Sequence, residues 1–463
     1  MSLREVDSSL KSGTQSSREQ WSGKLGFILA SVGSAVGLGS IWRFPFVTGE
    51  NGGGAFVLIY LICVLLLGLP VLLSEIVLGR SAQRNPVGAL RLKAPGTPWF
   101  LSGFIGITAS ILILSFYSTV GGWALSYTWE ALMGTFSKIS ITEAETRFGS
   151  FISNPVIPLL WQALFMALTM GICLFDLQKG IERTNKFLMP LLGLMLLILV
   201  FRSVTLPGAA EGVRFILYPD WSSVSITTLL EALGMAFFSL SVGAGTMVTY
   251  GSYLSKKENV PGAVGSVVIF STLVSLAAGL AIFPAIFSLG YEPDTGPPLV
   301  FITLPAVFAQ MPAGALFALL FFFLLCVAAL TSSISMLEVP RRYLEDEHGL
   351  SRRKSTLLTG GLIFLLGIPA TLSFSTLADV IGIGGRPIFE SMDFIASNVL
   401  LPLGGLAAIL FCGWKWGIRQ LLLESRGENN KGIPGEALWA FVIRWITPIL
   451  ILTVFAFQIL SNP

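Results

Sequence analysis

The sequence predicts an all-α integral membrane protein with eleven transmembrane helices, built as two five-helix inverted repeats whose first helices are broken. Three observations predict it. The chain is 53% hydrophobic and only 12% charged, about half the charge of a soluble domain. It contains apolar stretches near the roughly 20 residues that crossing a bilayer requires. Two of those stretches, five spans apart, carry the same glycine-interrupted pattern.

The spans fall at roughly 24–48, 54–79, 99–131, 157–175, 183–203, 226–252, 261–289, 313–340, 355–373, 391–414 and 438–460. Each is predicted to be helical, because lipid offers no partner for an open backbone. The alternating short strands of a barrel are absent. Residues 1–23 are polar and lack a signal peptide's apolar core, so they read as a cytoplasmic tail. With that tail inside, the opposite loops hold only Lys138, Arg147, Arg202, Arg214 and Arg386. Arg43 and Arg444 lie in spans, and the rest of the 29 lysines and arginines share the tail's side. The positive-inside rule then gives a cytoplasmic N-terminus. An odd number of spans puts the C-terminus outside, in a multi-pass protein of the plasma (inner) membrane.

The net charge of +3 gives no reason to expect a nucleic-acid partner. Cys63, Cys173, Cys326 and Cys412 stand alone in apolar runs and read as small hydrophobes. The single histidine, His348, sits in a polar stretch, and the acids in the spans are scattered. Neither a metal cluster nor a nucleophile with its base can be assembled, so the chain is not expected to be an enzyme.

The first span contains "ASVGSAVGLGSIWRFPF", residues 30–46. Glycines at 33, 37 and 39 each cost helix stability. A lone Gly33-x-x-x-Gly37 would most simply mean close helix packing. The sixth span repeats the pattern, however: Val242-Gly243-Ala244-Gly245 stands against Val36-Gly37-Leu38-Gly39. An odd number of intervening spans inverts the direction of crossing. Spans 1–5 (24–203) and 6–10 (226–414) therefore form an inverted repeat, with 438–460 outside it. Paired interrupted spans in two halves point to a transporter binding site. Unwound carbonyls there suit a cation, and half-helix N–H groups suit an anion.

With "GSAVGLG", "WRFPF", "ENGGGAF", "FFSLSVGAG", "FITLPAVFAQMPAG", "ALTSSIS" and "LEDE", the chain resembles the bacterial branch of the neurotransmitter:sodium symporter family from about Arg18 to Pro448. The resemblance implies a LeuT-like fold and sodium-coupled uptake of a neutral hydrophobic or aromatic amino acid by alternating access. A substrate-gated channel or uniporter on the same fold is the alternative. Sodium site two would use carbonyls of Gly33, Val36 and Ala328 with hydroxyls of Thr331 and Ser332. The substrate carboxylate would meet N–H groups of Leu38 and Gly39 and the Tyr117 hydroxyl. Its amine would meet carbonyls of Ala35, Phe238 and Ser241. Gly37 leaves room for that carboxylate, where relatives that take amines lacking one carry aspartate. The side chain would face Ile113, Phe238, Val242, Ala244, Ser332 and Met336, with Ser239 also at the substrate and alanine at 244 opening space.

Sodium site one would involve Ala35, Ser40, Ser239 and Ser271. Serines stand at 40 and 271 where the family has asparagines; they reach less far, which implies a weakened site. Tyr60, Ser239 and Ser275 suit chloride while Met235 opposes it, so chloride dependence stays open. Arg43 and Asp393 match the outer gate, and Arg18 and Asp346 the inner gate, supported by Trp21 and Tyr253. Glu75 is expected to accept N–H bonds from the broken sixth span. Besides substrate and bilayer, no partner is implied, and oligomeric state is not readable.

Overall fold

The structure, a computed structural model, describes residues 18–291, 300–427 and 432–461; the tail before Arg18 lies outside them. Every apolar stretch expected from the sequence coincides with helix. Among the described residues, eight helices are continuous and long and apolar enough to cross a membrane: Gly54–Ala82, Phe100–Leu132, Gln178–Val204, Val260–Ser288, Gly314–His348, Arg352–Leu372, Ile388–Lys415 and Glu436–Phe457.

The remaining three positions are interrupted or short. In the first span Lys24–Ala35 and Gly39–Glu50 meet at a 51° bend. In the sixth, Ile226–Ser239 stops and Thr246–Gly251 resumes after six residues outside helix. The fourth, Ile157–Cys173, is preceded at a 76° bend by Ile141–Ile152. That preceding helix is amphipathic and opens with a capping box in which Ser140 and Glu143 satisfy each other's backbone N–H groups. Such a helix suits a surface rather than a lipid core.

The breaks follow from the residues present. Val36 leaves the helical region at φ −87°, ψ 77°. Ser241, Gly243 and Gly245 all take positive φ, which ends a right-handed helix. Gly243 is required twice over. Its φ is 85°, and a Cβ there would overlap the backbone of Leu401 on the tenth span. Both breaks are buried at the centre of the bundle, against the long third and eighth helices Phe100–Leu132 and Gly314–His348. Lipid-facing surfaces carry exposed leucine and phenylalanine, such as Leu194, Leu197 and Phe201 on the fifth span.

Candidate functional site at the paired helix breaks

Two antiparallel broken helices bring two helix N-termini and two C-termini to one level. The free N–H and C=O groups of those ends have no helical partner, and neighbouring side chains take them up. The Leu38 N–H donates to the Tyr117 hydroxyl at 3.0 Å. The Ser241 hydroxyl, aimed across by its left-handed backbone, donates to the Ser34 carbonyl at 2.8 Å. The Gly243 N–H donates to Glu75 Oε1 at 2.8 Å, as the sequence led us to expect.

A cavity of about 20 Å³ lies between the breaks, room for about one water. Its wall includes Ala35, Gly37, Gly39, Ile113, Tyr117, Phe238, Ser241, Ala244, Ser332 and Met336. Leu38, expected there through its N–H, gives that group to Tyr117 and borders an outer vestibule. Two residues expected at the substrate are placed differently. Val242 is fully buried away from the cavity. Ser239 accepts a hydrogen bond from the Tyr60 hydroxyl at 2.9 Å, behind the wall. The roominess expected from alanine at 244 is also absent in this conformation, in which the cavity shared by Ala244, Phe238 and Met336 holds only about 20 Å³.

Ser34, Thr246 and Leu401 line the cavity and were not singled out from the sequence. The Thr246 hydroxyl is buried without a hydrogen-bond partner among the described residues. Its position as the first residue after the second break was the signal available. A methyl group at Gly37 would collide with the Ser332 and Tyr117 hydroxyls, so that glycine keeps the centre of the cavity open.

The oxygens assigned to sodium site two gather in part. Ser332 Oγ donates to Gly33 O at 3.2 Å and Ser34 O at 2.9 Å, joining eighth span to first. Thr331 Oγ1 donates to Ala328 O at 3.0 Å. A cluster of neutral oxygens is what a small hard cation takes from a protein. At site one, Ser40 Oγ turns back to Ala35 O at 3.3 Å. The Ser271 hydroxyl is buried and unpartnered.

The two ion pairs expected as gates differ in tightness. Arg18 Nη1 reaches both Asp346 oxygens at 2.8 and 2.7 Å, with side chains only 11% and 9% exposed. Trp21 and Tyr253 pack beside it, and Arg18 lies over the Tyr253 ring. Tyr253 in turn donates to Glu338, which pairs with Arg341. Arg43 and Asp393 approach only to 3.3 Å and are 21% and 32% exposed. Arg43 also covers the Phe238 ring. Above it opens a vestibule of about 330 Å³ walled by Trp42, Phe46, Phe116, Trp123 and Phe389. Tyr117 and Phe238 line both spaces and form the floor between them. The bundle is therefore sealed at the Arg18 end and looser at the Arg43 end.

Comparison with known proteins agrees with this geometry. A sequence profile described as the Sodium:neurotransmitter symporter family matches residues 18–145 and 154–463. The uncharacterized sodium-dependent transporter YhdH of Bacillus subtilis (strain 168) is 45% identical, over 94% of this chain and 96% of its own length. An uncharacterized sodium-dependent transporter of Haemophilus influenzae is 36% identical, over 95% and 97%. The crystal structure of MhsT in complex with L-phenylalanine superposes with a TM-score of 0.89 at 47% identity, covering 95% of this chain and 99% of that one.

Proposed function

The chain belongs to the sodium:neurotransmitter symporter family, a family of sodium-coupled transporters rather than enzymes, and has its LeuT-like fold; from that premise we propose that it couples inward sodium movement to uptake of a neutral hydrophobic or aromatic amino acid. The observation that carries the reading is the bridge from Ser332 to the carbonyls of the first break, beside a cavity lined without a charged side chain. A sodium ion held by Gly33, Val36, Ala328, Thr331 and Ser332 joins the first and eighth spans. It favours whichever conformation brings those spans together, and so shifts the population.

The amino acid places its carboxylate against the Leu38 and Gly39 N–H groups and the Tyr117 hydroxyl. Its amine meets carbonyls of Ala35, Phe238 and Ser241, and its side chain lies among Ile113, Phe238, Ala244 and Met336. A charged side chain would be buried there unpaired at high cost. The complex of MhsT with L-phenylalanine supports a large neutral substrate. Phe238 and Met336 must turn aside to admit one, and the flexible thioether suits that movement.

Site one binds sodium weakly through Ala35, Ser40, Ser239 and Ser271. The Tyr60–Ser239 contact is compatible with chloride, whereas buried Met235 supplies no donor. Arg43 and Asp393 close the outer path, and Arg18 and Asp346 the inner one. The protein sits in the plasma membrane with its N-terminus inside and its C-terminus outside. The test is uptake of a panel of labelled amino acids by proteoliposomes with and without an inward sodium gradient. Uphill accumulation of leucine, methionine, phenylalanine or tryptophan is expected. Downhill flux alone would favour a uniporter or channel.

A further inference from the structure

The inner half of the first span, Lys24–Ala35, begins without a cap of its own. Gly23 at its N-cap offers no side chain, and no acidic residue lies in its first turn. A helix start without such groups leaves N–H donors and a positive dipole end unmet. The fifth span brings a carboxylate to this positive end, bonded to Ser22 just ahead of the N-cap. Glu182 ends the wide π turn Gln178–Glu182, and its side chain is 2% exposed. Its Oε2 accepts the Ser22 N–H at 2.9 Å, and its Oε1 accepts the Ser22 hydroxyl.

The carboxylate lies so close to the first turn that a Cβ on Gly26 would overlap it. Lys186, one turn on, completes the arrangement, pairing with Glu182 at 2.7 Å and donating to the Ser22 hydroxyl at 2.9 Å. One helical face further along, Asn185 and Met189 approach Gly33 in the same way. The contact is thus a polar clasp along the seam between first and fifth spans. It shares no residue with the Arg18–Asp346 pair.

We propose that Glu182 is a positioning residue of the transport cycle, tethering the start of the inner half of the first span to the fifth and holding the inner path shut. The inference rests on the alternating-access reading above. Opening the inner path by moving Lys24–Ala35 away from the fifth span breaks the Ser22 bonds and leaves a buried carboxylate with Lys186 alone. The clasp therefore resists opening, and Gly26 is the space it needs.

The test uses cytoplasm-side accessibility, not uptake. Ser335 is fully buried and its hydroxyl meets Ser34 of the first span at 2.8 Å, so a cysteine there is covered by Lys24–Ala35. In a background with the four native cysteines replaced, S335C is labelled with a maleimide in the purified full-length protein, in sodium and in potassium. Glu182→Gln should raise the labelling rate roughly fivefold, the effect of weakening one charge-assisted hydrogen bond. Glu182→Asp should restore much of the protection. Gly26→Ala should raise the rate similarly with Glu182 present and have little effect once Glu182→Ala has removed the obstacle. A Glu182→Gln rate equal to the parent's, or a Gly26→Ala effect undiminished by Glu182→Ala, would overturn the clasp. If sodium leaves labelling of the parent unchanged, the sodium-coupled reading fails instead, while the ratio between variant and parent still judges Glu182.

Discussion

Removing the Ser332 hydroxyl that reaches the first break together with its neighbour on Thr331, Thr331→Ala with Ser332→Ala, perturbs the proposed sodium site through both its side-chain ligands. Ser332 Oγ lies 3.2 Å from Gly33 O and 2.9 Å from Ser34 O, and Thr331 Oγ1 lies 3.0 Å from Ala328 O. Both side chains are buried, so no solvent replaces the lost oxygens. An oxygen contact in such a setting is worth about 1 kcal/mol net. Two amount to about 2 kcal/mol, or roughly a 30-fold weaker sodium site at 1.4 kcal/mol per tenfold.

The assay needs no substrate: the thermal unfolding midpoint of the purified protein is followed against sodium at constant ionic strength. A ligand that binds only the folded state raises that midpoint as its concentration passes the dissociation constant. The half-effect concentration should move upward about 30-fold in the double variant. Ser335→Ala is the control. Its hydroxyl bonds Ser332 O at 2.8 Å and is not a proposed ligand, so the sodium response should be kept. A double variant that folds and keeps the parent's sodium response would refute the site, and so would potassium acting equally well in the parent.

Three further outcomes follow from the same geometry. Arg43 and Asp393 are partly exposed at 3.3 Å, so their pairing adds about 1 kcal/mol or less to stability; charge reversal of Arg43 should stop uptake while sparing substrate binding, and near-normal uptake by Arg43→Ala would show an arginine that only reaches for the interface. With Ser40 bonded back to Ala35, sodium dependence of substrate binding should show a Hill coefficient near one, barely changed by Ser271→Ala; a steep curve flattened by that substitution would establish a strong first site. Ala244→Phe should overfill the cavity and cost phenylalanine about tenfold more affinity than alanine, measured by competition; an unchanged ranking would place the side-chain pocket elsewhere.

The sequence by itself determined the class, the helices and the position of both breaks. Those are local or one-dimensional properties: about 20 apolar residues oblige a spanning helix, and clustered glycines weaken it wherever they fall. The match between Val36–Gly39 and Val242–Gly245 even marked where the central cavity lies, because symmetry of crossing is written in the count of spans between them. Residues lining that cavity at the breaks were legible for the same reason, most of them lying within a few positions of a glycine. What only the tertiary structure decided was which groups complete the breaks and from which direction. Ser239 and Val242 sit in the marked segments, yet both lie off the cavity, since facing depends on φ and ψ at the break and not on sequence spacing. Thr246 and Leu401 reach the cavity from places no periodicity singles out. Glu182 looks in sequence like a charge at a cytoplasmic helix end. Only the packing of fifth span on first, close enough to need Gly26, turns it into a tether at the start of another helix.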